Sequence, residues 1–182
     1  MAASIKFARR FSAGTASSIS RGFSPSCCRL CPYTAIWIHA VWATQQRHPW
    51  LTPAIRKALY QHLRDQAQRQ NIRLTDVNGF TDHVHILFAL APEQTLAKTI
   101  QLLKGESSHW LNQQGIIATG PFRWQSEYWA GSVSPSGLAR VRAYIAGQET
   151  HHQSMSFAEE CEQLFKGLGI APGIDGAGPG KG

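Results

Sequence analysis

No stretch of this sequence stays apolar for the roughly 20 residues that a membrane-spanning helix needs, because Lys, Arg, Gln or His interrupts every candidate. That excludes membrane helices, and the chain reads as a cytoplasmic protein with no membrane partner. Cysteine is scarce where the chain looks folded. Cys27, Cys28 and Cys31 crowd near the start, Cys161 stands alone, and no second pair completes a zinc site, so reduced thiols are expected. Acidic residues are missing from residues 1–32, which carry Lys6, Arg9, Arg10, Arg21 and Arg29 and so supply five of the net +7 charges. From Arg47 to Arg142 there are eleven Lys/Arg against six acids, and from Ala143 onward two against five. A basic middle favours an anionic partner such as nucleic acid.

Residues 1–32 also lack any sustained apolar period. Their Ser, Ala and Arg content suits a transit peptide or the translation of upstream sequence joined to a domain, and we favour the second; disorder is expected either way. The Gly/Pro-dense residues 171–182 read as a second disordered tail. Between them, 33–170 has the size of one domain.

Within that domain, Tyr33–Thr44 is rich in β-branched and aromatic residues and predicts a strand. Thr52 and Pro53 are cap and first position of an amphipathic helix with Ile55, Ala58, Leu59, Leu63 and Ala67 at helical spacing. Ile72–Phe80 and His83–Leu90, separated by turn-forming residues, predict a hairpin. A helix follows over about Thr95–Gln113, with Leu96, Ile100, Leu103 and Trp110 on one side. A short strand is expected around Arg123–Trp129, and then a helix capped by Ser134 or Ser136 with Leu138, Val141 and Ile145 inward. Ser156 and Glu159 have capping-box spacing for a short closing helix. This order is α+β: a ferredoxin-like split βαβ antiparallel sheet with helices on one face, the other face open for a ligand or second subunit, and a C-terminal helix carrying Tyr144.

The chemistry concentrates in two places. In TDHVHILFAL, strand alternation sends His83 and His85 to one face and Val84 to the core, so two imidazoles can converge on one divalent cation; surface histidines on a solvated sheet are the alternative. In RAYIAGQETHH, Tyr144 and Gln148 stand four residues apart, one turn along a helix face. A phenol can be a nucleophile and an amide oxygen a hard metal ligand. Asp82 can orient a histidine from behind or simply start the strand through a turn, and His39 on the first strand can border the same site, although a core or interface histidine is the preferred reading. Lys104, Arg123, Arg140 and Arg142 are candidates for DNA phosphate contacts. His151 and His152 fit a helix C-terminus, with a phosphate contact as the rival role. For Trp124 and Trp129, core packing outweighs stacking on unpaired bases.

HVH in an apolar strand, then WQSEYWAGSVSPS, then Y-I-x-x-Q-x-x-H-H and S-F-x-x-E, resembles the single-tyrosine HUH transposases of bacterial insertion sequences, the insertion sequence 200/605 type. The likeness runs from about Pro32 to Ile170. It implies His83, His85 and Gln148 as ligands of Mg²⁺ or Mn²⁺ and Tyr144 as catalytic nucleophile. It also implies single-stranded DNA with hairpin ends as substrate, a 5′-phosphotyrosine intermediate, and a homodimer. Two departures stand out: Tyr128-Trp129-Ala130-Gly131-Ser132 replaces a common Tyr-Gly-Ala-Phe-Ser, and Gly147 stands where Asn is common. Gly131, Pro135 and Gly137 are expected to give a flexible link to the Tyr144 helix. A non-catalytic single-stranded nucleic-acid-binding relative, and a phosphoesterase using water in place of Tyr144, are the alternative functions. No general base for the phenol is evident from the residues.

Overall fold

The computed structural model describes residues 34–117, 120–152, 159–160 and 162–163. The expected N-terminal extension, the Gly/Pro tail, the Ser156 cap and the side chain of His151 lie outside the described residues. The described residues all belong to one compact unit, 33–182.

Four strands and two long helices build the frame: β1 (Ile36–Ala43), α1 (Pro53–Arg69), β2 (Arg73–Gly79), β3 (His83–Leu90), α2 (Leu96–Gln114) and β4 (Trp129–Val133). The sheet order is β2-β3-β1-β4, antiparallel throughout, which is the split βαβ arrangement the sequence predicts. Two further helices follow, α3 (Leu138–Ala146), which carries Tyr144, and a single turn, α4 (Gln148–His151).

Period-two alternation divides the central strands. Ile38, Ala40 and Trp42 of β1 and Val84, Ile86 and Phe88 of β3 face the main core, where Leu59, Leu63 and Ala67 of α1 and Ile100, Leu103 and Leu111 of α2 cover them. Each fully buried Leu, Ile or Phe contributes about 1.5–3 kcal/mol. Thr52 caps α1 through Ile55 N, with Pro53 at the first position, as the sequence predicts. Thr95 caps α2 through Lys98 N, and Gly115 ends that helix in the left-handed region, φ 61°. No helix among the described residues is long and apolar enough to cross a membrane.

Four expectations need correction. The strand expected at Arg123–Trp129 begins only at Trp129, because the preceding segment is tied to α2. Asn112 brackets both backbone groups of Phe122, Trp124 donates its indole N–H to Ser107, and Lys104 caps the carbonyls of Gln125, Ser126 and Glu127. Only an isolated bridge, Thr44 to Trp124, reaches the sheet from there. The second sheet face is not open: Trp37 and Leu87 on that face pack against Ile145 of α3. Gly131 is no hinge but a buried strand residue across which the Trp129 ring folds; a Cβ there would lie 2.8 Å from that ring. Finally, Ser134 caps a 3₁₀ turn, Pro135–Gly137, and the helix proper starts at Leu138 and stops before Gly147.

Gly79 marks the closest approach in the hairpin, since a Cβ there would stand 2.2 Å from the carbonyl oxygen of His83. Gly105, inside α2, has open space around it. Gly105→Ala is therefore expected to raise stability by about 0.5–1 kcal/mol through helix propensity. Gly79→Ala is expected to lower the thermal midpoint and displace the His83 backbone. Thermal melts of the two variants, read against wild type, check both signs.

Candidate metal and nucleophile site

The turn after β1 sets the first part of the site. Gln46 and Arg47 both adopt left-handed backbone angles, φ 53° and 60°, which non-glycine residues rarely hold. The result is that the Arg47 guanidinium reaches the Asp82 carboxylate at 2.6 Å. Asp82 Oδ1 in turn lies 2.7 Å from His83 Nδ1. With Nδ1–H donated to Asp82, His83 Nε2 keeps its lone pair directed away from the turn. Arg47 carried no signal in the sequence, because its part depends on the turn geometry.

One pleat along β3, His85 is fully buried. His39, paired across the sheet two residues away from it, places Nε2 3.1 Å from His85 Nδ1. Trp129 packs edge-on against His39, ring centroids 5.2 Å apart, and holds it there. Burial, reinforced by the neighbouring His85, takes His39 down to about 3; burial likewise takes His85 to about 4, with Glu160 opposing. Burial also lowers His83, against the pull of Asp82. These imidazoles are neutral at pH 7, with lone pairs available for a ligand.

Tyr144 and Gln148 approach from α3 and α4. They are not on one unbroken helix, since Gly147 departs from helical angles, φ −84° and ψ 6°. The carbonyls released by the break, those of Ile145 and Ala146, are taken by the side-chain amide of Asn78 on β2, at 2.8 and 3.1 Å. Arg56, buried on α1, clamps Glu149 at 2.7 Å and fixes the turn that follows. Phe80 stacks on His152, ring centroids 5.3 Å apart.

All of these elements meet at Glu160, which is 1 % exposed. Its Oε1 accepts from Tyr144 and from Gln148 Nε2, the latter at 3.1 Å, and lies 3.3 Å from His85 Nε2. Its Oε2 lies 3.2 Å from His152 Nε2 and 3.8 Å from His83 Nε2. Burial pushes the Glu160 carboxyl up, but the adjacent His85 and the hydrogen bond from Tyr144 outweigh it, and the group titrates below the usual carboxylate range. The ring of Tyr144 stands edge-on to His85 at 5.8 Å and to His39 at 6.1 Å. One donor atom from each of His83, His85, His152 and Glu160 falls within 4.8 Å of the others. The amide oxygen of Gln148, fully buried, accepts no hydrogen bond among the described residues. Neutral imidazoles and a carboxylate gathered within 4.8 Å fit a divalent cation, and the buried Gln148 amide beside Glu160 keeps an orphaned hard oxygen.

The structure thus brings together Tyr144, His83, His85 and Gln148, with Asp82 and His39 behind the histidines. It does not gather the four basic candidates there. Lys104 is occupied by its three carbonyls and lies over Tyr128, and Arg142 pairs with Asp76 at 3.2 Å and covers Trp37. Arg123 is exposed beside α2 in a separate cleft. Arg140 alone borders the site, lining a cavity of about 510 Å³ with His39, Tyr144 and Glu160. His152 and Glu160 stand in the Q-x-x-H-H and S-F-x-x-E motifs, but the sequence reading gave His152 a capping or phosphate role and Glu160 none. The capping-box spacing drew attention to Glu159 instead, one residue too early.

A family model, described as transposase IS200 like, matches residues 32–148, more than half of the chain. The chain belongs to the IS200-like transposases. Among curated relatives, the ISDra2 transposase TnpA of Deinococcus radiodurans is 27% identical over 114 residues, 60% of this chain and 81% of that one. The transposase for insertion sequence element IS200 of Salmonella typhimurium is 26% identical over the same length, 60% and 74% of the two chains. The fold of this IS200-like chain matches a Deinococcus radiodurans crystal structure described as a candidate transposase, with a TM-score of 0.53 and 26% identity, covering 66% of this chain and 96% of that one.

The depressed imidazoles give a pH signature. An unfolded chain takes up protons on His39 and His85 below about pH 6.5, whereas the folded one refuses them until about 3 and 4. The unfolded state therefore binds more protons in that window, and stability of the metal-free protein falls as pH drops from 6.5 towards 4. Urea midpoints at pH 7, 5.5 and 4.5 are expected to decline in that order; a constant midpoint contradicts the assignment of buried neutral histidines.

Proposed function

We propose that this IS200-like transposase cuts and rejoins single-stranded DNA by metal-dependent transesterification, with Tyr144 as the nucleophile. The observation that carries the reading is the meeting of Tyr144 with the His83–His85 face within one chain, through the shared carboxylate of Glu160.

In this reading His83, His85 and Gln148 hold Mg²⁺ or Mn²⁺. The ion supplies electrostatic stabilisation of charge developing on the scissile phosphate. The residues do the rest. The Tyr144 phenol oxygen attacks phosphorus, the bond from phosphorus to the 3′ oxygen breaks, and the products are a 5′-phosphotyrosine link and a free 3′-OH. The phenol, with an ordinary pKa near 10, must lose its proton on the way. Its hydrogen bond already runs to Glu160, whose ionised carboxylate is placed to receive it. Because the tyrosyl ester keeps the phosphodiester energy, a later 3′-OH reverses the attack and joins strands without ATP. His39 and Asp82 position the two metal-binding imidazoles, and exposed Arg140 steers backbone phosphate toward the Tyr144 cavity.

The substrate in this reading is hairpin-bearing single-stranded DNA in the cytoplasm, without membrane involvement. A homodimer would hold two DNA ends rather than complete one another's sites, since each chain brings Tyr144 to its own histidines. Residues 33–170 form the catalytic domain.

Incubation of a labelled hairpin oligonucleotide with the protein and Mn²⁺ is expected to give a protein–DNA adduct that survives denaturation. Tyr144→Phe should abolish it. Cleavage that persists in Tyr144→Phe assigns the attack to water instead, and binding without any cleavage in wild type points to a non-catalytic nucleic-acid binder.

A further inference from the structure

We propose that His152 and Glu160, which lie beyond the family-matched span ending at Gln148, are protein ligands of the metal held by His83 and His85. They make a centre of three imidazoles and one carboxylate that takes an ion of the Mn²⁺ type in preference to Mg²⁺. This rests on the metal-dependent reading above and names the ion and two more of its ligands.

The spacing carries the proposal. Donors bound at 2.0–2.2 Å to one tetrahedral ion stand about 3.3–3.6 Å apart. Glu160 Oε2 lies 3.2 Å from His152 Nε2 and 3.8 Å from His83 Nε2, Oε1 lies 3.3 Å from His85 Nε2, and one donor atom from each of the four residues falls within 4.8 Å of the others, so a small contraction around an ion reaches that spacing. Three independent elements deliver those atoms: β3, the turn α4, and the helical segment around Glu160. Each is separately anchored. Asp82 holds His83, His39 holds His85, and Phe80 with its overlying Arg56 holds His152.

Charge points the same way. Glu160 is buried, and among the described residues no Lys or Arg forms an ion pair with it. A buried carboxylate held ionised among imidazoles, with no Lys or Arg partner among the described residues, is a ready ligand for a cation. A divalent ion supplies the missing countercharge and leaves one oxygen to Tyr144. Glu160 also takes the amide N–H of Gln148, which turns the Gln148 oxygen free of that bond and makes it a further donor.

The donor types select the metal. Mg²⁺ demands near-octahedral oxygen ligands and gives up water reluctantly, whereas imidazole-rich sites bind later divalent ions more tightly. Three imidazole nitrogens therefore disfavour Mg²⁺.

Calorimetric titration of the full chain, stripped of metal, with MnCl₂ and separately with MgCl₂ tests this. Wild type is expected to bind Mn²⁺ at least ~10-fold more tightly than Mg²⁺. Glu160→Gln and His152→Asn should each weaken Mn²⁺ binding by at least ~10-fold. His85→Ala should abolish it. Unchanged Mn²⁺ affinity in both Glu160→Gln and His152→Asn, with loss in His85→Ala, overturns the extra ligands and leaves the two-histidine site standing. Unchanged affinity in His85→Ala removes the metal site altogether. Should the variants unfold in chelator, X-ray absorption of Mn²⁺-loaded wild type decides: three imidazoles support the proposal and two refute it.

Discussion

The whole arrangement depends on β3 being covered on both faces. A strand whose even-numbered positions pack against α1 and α2 has only one direction in which to send His83, His85 and Leu87, and α3 closes that side as well. Taken out of water, the two imidazoles lose the stabilisation of their charged forms and stay neutral. Burial therefore does two tasks: it fixes the geometry of the donors and it sets their protonation. Antiparallel sheets often leave one face wet. Here the second face is dry where the chemistry is, and solvent reaches the region along the Arg140 side of α3.

Much of this was legible in the residues. Thr52-Pro53, the spacing of Leu59, Leu63 and Ala67, and the alternation through His83–Leu90 each state a local preference that the packing then satisfies. The same alternation identified the histidine pair, and the family likeness supplied Tyr144 and Gln148. What failed did so for tertiary reasons. Arg123–Tyr128 has strand-like composition, but Lys104 captures the carbonyls of Gln125, Ser126 and Glu127 before a second strand can, and Asn112 holds Phe122 just ahead of them. Gly131 looks like a joint until the Trp129 ring is placed over it. Glu160 ends the S-F-x-x-E motif without a role that its spacing announces, and Arg47 stands in no motif at all. One is recruited across the fold, where Tyr144 and Gln148 donate to its Oε1, and the other by two consecutive left-handed residues that composition does not announce.

The tyrosine and the histidines are held by different means. The histidines stand on a strand paired on both sides, each braced by a neighbour within hydrogen-bond reach. Tyr144 and Gln148 sit on either side of a broken helix whose phase is not set by its own hydrogen bonds. Glu160 joins the two groups, so a single carboxylate links the broken helix to the histidine strand.

Asn78 gives that coupling a structural guarantee. It stands directly across from His85 in the β2–β3 ladder, and its amide grips the last carbonyls of α3. A one-residue slip between these two strands would turn His85 to the wrong side and release the helix end in the same stroke. Strand register, helix position and histidine placement therefore stand or fall together, and a mispaired hairpin would lose all three at once.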